Sequence, residues 1–68
     1  MTESERLRRQ IRARNVIRIY HDHGIDLALN EDGRVRAYGV GAVPEDIEVE
    51  AAELNEEIEA ELRGRVTK

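Results

Sequence analysis

Sixty-eight residues carry fifteen acids against eleven lysines and arginines, a formal charge of −4, and no cysteine. A chain this short makes one small domain, expected over 1–68 with a core from about 7 to 62, and it buries only about 60% of its unfolded surface. A disulfide framework and a cysteine-based zinc site are excluded, no apolar run approaches the roughly 20 residues of a membrane span, and no signal-like stretch follows Met1, so a cytoplasmic protein is expected.

The first segment reads as a helix. Ser4 is the expected cap, with Glu3 and Glu5 at its positive end. Leu7 and Ile11 are four apart, and Ala13, Val16, Ile17 and Tyr20 then recur at threes and fours. The two sets share no narrow stripe, so either the buried face is broad or the helix changes partner near Asn15. Val16 to Tyr20 is also rich in β-formers, and a strand competes there. Gly24 offers a C-terminal stop, which favours the helix.

Ile25, Leu27 and Leu29 then alternate with Asp26, Ala28 and Asn30, the period of a half-buried strand. Asn30-Glu31-Asp32-Gly33 reads as a turn, and Arg34 to Tyr38 as the return strand. Pairing sets Ile25, Leu27, Leu29, Val35 and Ala37 on one apolar face, and Arg34, Arg36 and Tyr38 on a cationic one. A lone hairpin is marginal in water, so its apolar face must rest on helices. Gly39 to Val43 reads as a flexible connector. Pro44 opens the last segment, where Ile47, Ala51, Leu54, Ile58 and Leu62 step by four and three. Val49 falls off that stripe, which allows a short turn over 44–48 before a main helix from about 50. Gly64 is the expected stop, with Arg63 and Arg65 at the negative end. The architecture expected is α+β: a helix, a two-stranded antiparallel hairpin, and one or two C-terminal helices.

The charges are sorted by sign. Arg6, Arg8, Arg9, Arg12, Arg14 and Arg18 crowd the first helix, whereas residues 45–61 hold nine acids and no base. At 100° per residue the arginines surround their helix instead of forming a stripe, and stacking aromatics are scarce, so a DNA-binding role ranks third among the readings. More simply, arginine stems cover apolar surface while their heads pair with acids of the last helix, within a monomer or across a dimer.

Other constellations are weak. His21-Asp22-His23 lacks the further ligands of a closed metal site and reads as the end of the first helix. Gly39-x-Gly41 is half of a phosphate loop without its βαβ setting. The turn acids lack the register of a calcium loop. No nucleophile sits beside a base, so neither an enzyme nor a cofactor is expected.

The order helix, "HGIDLALNEDGRVRAYG", a Pro-initiated segment and "AAELNEEIEAEL" resembles the N-terminal docking domain of the TubC type, found at the front of nonribosomal peptide synthetase subunits, over about Leu7 to Leu62. The resemblance implies an αββαα fold, often homodimeric, whose exposed hairpin takes a short C-terminal peptide as an extra strand selected by charge. Arg34 and Arg36 stand at the matching place, where they would meet acidic side chains or a terminal carboxylate with Tyr38 beside them. With the sequence ending at Lys68, either an excised piece or a stand-alone relative is expected. The last helix is also more acidic than the family's usual helix. Its Glu50, Glu53, Glu56, Glu57 and Glu61 support the rival reading, a stand-alone inhibitor or accessory protein, of phage or other origin, whose acidic face imitates nucleic acid. The leading expectation is a non-catalytic, dimeric docking module for a protein or peptide partner.

Overall fold

The computed structural model describes residues 2–66. Their order is α1 (Glu3–Asp22), β1 (Ile25–Leu29), β2 (Val35–Gly39), α2 (Glu45–Glu53) and α3 (Asn55–Val66). The expected α+β arrangement is what is found, with the last segment divided in two.

Helix α1 is capped two residues earlier than expected. Thr2, not Ser4, holds the extended cap conformation, and its hydroxyl accepts the Glu5 backbone N–H at 3.2 Å. Thr2-Glu3-Ser4-Glu5 has the spacing of a capping box, and the Thr2 hydroxyl in turn donates to the Glu5 carboxylate. Val16 to Tyr20 is helical because a strand would send Val16 and Ile17 to opposite faces. In the helix, Ala13, Val16, Ile17 and Tyr20 all face the core. Leu7 and Ile11 do not: they lie on the opposite side, 57% and 47% exposed. The helix is therefore buried along its C-terminal half only. Gly24, at φ +83°, ends it in the left-handed conformation that glycine adopts without strain.

The hairpin pairs Ile25 with Gly39, Leu27 with Ala37 and Leu29 with Val35, the register that gathers the apolar face. Asn30 builds the turn. Its carbonyl accepts the Gly33 N–H, its N–H donates to the Arg34 carbonyl, and its side-chain oxygen accepts from Asp32 and Arg34. Gly33 at φ +78° completes a type I turn with a glycine bulge.

Beyond Gly39 the chain is not a slack connector. It continues antiparallel to His23 and Gly24 at backbone contact distance. A Cβ on Gly41 would lie 1.6 Å from the His23 carbonyl oxygen, and one on Gly39 2.2 Å from that of Gly24. The two glycines are thus a steric requirement of close approach.

The C-terminal stripe is helical, but the joint falls at Leu54, at φ −101° and ψ 18°, instead of near residue 49. Leu54 N–H still bonds the Glu50 carbonyl, and Ile58 N–H the Leu54 carbonyl, so the joint is a bend more than a gap. Fully buried Leu54 and Ile58 meet Val16 of α1 at the centre of the core, with Ile25 and Leu62 around them. Gly64 does not stop α3, which runs on to Val66. The Arg65 side chain and Lys68 lie outside the described residues. Among the described residues no helix is long and apolar enough to cross a membrane.

Two glycine substitutions separate these roles. Gly41→Ala is expected to cost several kcal/mol, enough to unfold so small a domain, because backbone must move to admit the methyl. Gly64→Ala, in a helix with nothing within 4 Å of the new carbon, is expected to stabilise by about 0.5–1 kcal/mol. Urea melts followed by circular dichroism distinguish them.

Candidate functional site

A two-stranded sheet has two outer edges, and the helices treat them differently. β1 runs from buried Ile25 through half-buried Leu27 to Leu29, flanked by α1. β2 is half-buried at Val35 only; Arg36 to Gly39 are exposed. The bonded pair at the turn, Asn30 with Arg34, sets the alternation of the ladder. Arg36 and Tyr38 therefore bond inward to β1, while Val35, Ala37 and Gly39 aim N–H and C=O outward. Among the described residues, no backbone hydrogen bond from another segment covers that outward row.

The expected cationic residues lie along this edge. Arg36 and Tyr38 share the polar face of β2, opposite Ala28 and Asp26, and Arg34 precedes them at the same parity. All three are exposed, Tyr38 by 52%. Among the described residues, neither arginine enters an ion pair. Asp26, on the same face, is engaged by His21, whose Nδ1 lies 2.9 Å from its carboxylate. His23 turns back on its own helix, its Nδ1–H donating to the Ile19 carbonyl at 2.8 Å. The two histidines thus have separate structural partners. No group of three or more potential metal ligands forms among the described residues.

The helix charges are spent differently. Arg9 grips Glu57 with two nitrogens, at 2.8 and 3.2 Å, and also donates to the Glu53 carbonyl. Arg12 reaches Glu50 at 2.9 Å and Arg14 reaches Glu61 at 3.0 Å. α1 is therefore strapped on one side to α2 and on the other to α3, all within one chain. This places three of the five acids proposed as a nucleic-acid-like face, Glu50, Glu57 and Glu61, against α1; Glu53 and Glu56 stay exposed. It also occupies three of the arginines that a DNA-binding helix would need.

Two ionisable groups register these contacts. The hydrogen bond from Arg9 holds the Glu57 carboxyl below its ordinary value, while the same bond raises Arg9. Burial, and then the negative charge of Glu48, push the Tyr20 hydroxyl up, so it stays a neutral phenol. Glu48 and Tyr20 are not among the candidate site residues read from the sequence. They flank the connector beneath β2, together with Ala37 and Val43. The small residues from Gly39 to Val43 were the available signal, since bulk there would fill the space.

No family model, curated protein or solved structure matches the chain.

The Arg9–Glu57 contact makes stability depend on pH with a definite sign. A carboxyl lowered by folding contributes stability above its unfolded value near 4.5 and loses it as pH falls through the folded one. Wild type is therefore expected to be more stable than Glu57→Gln at neutral pH. The difference should shrink on acidification to about pH 3. Chemical denaturation of both proteins at the two pH values measures it; a constant difference would contradict the assignment.

Proposed function

We propose that the chain is a non-catalytic docking module, of the kind found in TubC-type domains, that captures an acidic extended segment of a partner protein as a third strand on β2. The observation that carries this reading is the pairing of charges and backbone at one place. Among the described residues, β2 leaves a row of amides and carbonyls without backbone partners, and the two arginines beside it, Arg34 and Arg36, belong to no ion pair. An added strand gains main-chain hydrogen bonds from the row and charge-assisted ones from the guanidinium groups. An open edge in so small a protein is otherwise a liability for aggregation, and charged side chains along it are the usual protection. Here the same arginines both discourage self-pairing and select an acidic visitor.

Self-association belongs to the same reading. Leu7 and Ile11 stand one turn apart on the side of α1 facing away from the core. A second copy would cover them and reinforce a domain whose own core is small. The dimer is expected to dissociate in Leu7→Lys/Ile11→Lys, as read by light scattering.

The docking edge is tested by panning a displayed library of random peptides on the wild-type protein. The recovered pool is expected to be acidic. It should lose binding on Arg34→Glu/Arg36→Glu, which reverses the charge, and on Ala37→Pro, which removes one outward N–H but no hydrogen bond of the hairpin. Circular dichroism should show both variants folded. Recovered peptides indifferent to both changes would defeat the reading.

A further inference from the structure

On the apolar side of the hairpin, Ala37 forms one wall of an open groove of about 390 Å³. Tyr20 and Ile25, each 8% exposed, make its floor, half-buried Val43 its far wall, and exposed Glu48 its rim. The groove lies on the opposite face of β2 from Arg36 and Tyr38. We propose, resting on the docking reading, that this groove takes an aliphatic side chain of the added strand. It would thereby set the register in which the segment docks. The occupant is an extended peptide in which acidic residues alternate with aliphatic ones.

The geometry of a sheet leads there. A residue opposite Ala37 on an added strand puts its Cβ about 4.5–5.5 Å from that of Ala37, on the same face. Its side chain therefore stands over the groove. The residues before and after it turn to the other face, where Arg36 and Tyr38 wait. The two faces ask for opposite chemistry. Beside Arg36 a carboxylate gains a charged hydrogen bond. Over the groove a carboxylate would lose water above Tyr20, Ile25 and Val43 and meet the charge of Glu48. An aliphatic side chain there removes apolar surface from water instead. A slip of one residue exchanges the two environments for the whole segment, so the wrong register is penalised on both faces. The arginines alone could not enforce this, because flexible guanidinium groups reach carboxylates in more than one register.

The test uses the full chain and fluorescein-labelled synthetic peptides of about eight residues, long enough to span a strand of ordinary length. One alternates glutamate with leucine, and a second alternates glutamate with serine. Fluorescence polarisation is expected to show the leucine peptide binding at least about tenfold more tightly, as burial of one or two aliphatic side chains implies. Ala37→Gln, which puts a polar side chain into the groove while leaving the backbone edge intact, should remove that advantage. Equal affinity for the two peptides, with binding still lost in Arg34→Glu/Arg36→Glu, would overturn the groove while sparing the docking edge. Binding of neither peptide by the wild-type protein would overturn both.

Discussion

Val16, Leu54 and Ile58 meet between α1 and the bend that joins α2 to α3, and the rest of the molecule depends on that contact. These are the most deeply buried large side chains in a core of eight buried residues. A hairpin of two five-residue strands has no independent stability in water. It persists because Ile25 joins the same cluster and because Leu27, Leu29 and Val35 pack against it. The three arginine straps from α1 then add orientation more than energy. Exposed ion pairs contribute about 0–1 kcal/mol each, yet together they favour one rotation of α1 between α2 and α3. Packing supplies the cohesion, and charge selects among the arrangements that would pack.

The helices that support the hairpin bury its two strands unequally, β1 more than β2. α1 lies along β1, and the chain leaves β2 through Gly39 and Gly41 in backbone contact with His23 and Gly24. That close approach continues the hairpin inward, on the side of β1. It therefore ties down the end of β2 without covering its outer rim. A bulkier residue at either glycine would push the connector away and loosen the strand that presents Arg36 and Tyr38. The openness of the edge is thus compatible with a rigid strand, which lowers the ordering cost of receiving another one.

Much of the fold was legible in the sequence, for identifiable reasons. The period-two run from Ile25 to Leu29, the turn from Asn30 to Gly33 and the stripe from Ile47 to Leu62 are each strong local signals, and each appears. The misreadings share a cause: they concern features set by distant segments. The bend falls at Leu54 because the stripe must wrap around Val16, which no local pattern reveals. Gly39 and Gly41 read as slack because their constraints are the Gly24 and His23 carbonyls, the latter eighteen residues from Gly41 in sequence. Gly64 looked like a stop, but without a left-handed turn a glycine near a helix end is simply a weak helical residue. Thr2 was overlooked although its capping spacing to Glu5 was present. At the site, the cationic side of β2 was readable from alternation. The groove behind it was not, since Tyr20, Val43 and Glu48 come from three separate segments.

The distribution of charge gives the edge a direction. Pairing Arg9, Arg12 and Arg14 with Glu57, Glu50 and Glu61 neutralises the seam between the helices. What remains exposed on the α2 and α3 side includes Glu45, Asp46, Glu53 and Glu56, with Glu48 near the groove; what remains along β2 is Arg34 and Arg36. On the docking reading, an acidic segment would be repelled along α2 and α3 and attracted beside Arg34 and Arg36, although α1 also exposes Arg6, Arg8 and Arg18. The Debye length is about 8–10 Å at physiological salt, so the discrimination acts within roughly the width of two strands. That range is too short to draw a partner from afar, but long enough to bias where an encountered segment settles. Under that reading, repulsion by α2 and α3 would be as much a part of selectivity as attraction by the arginines, because a wrong site is made worse at the same time as the right one is made better.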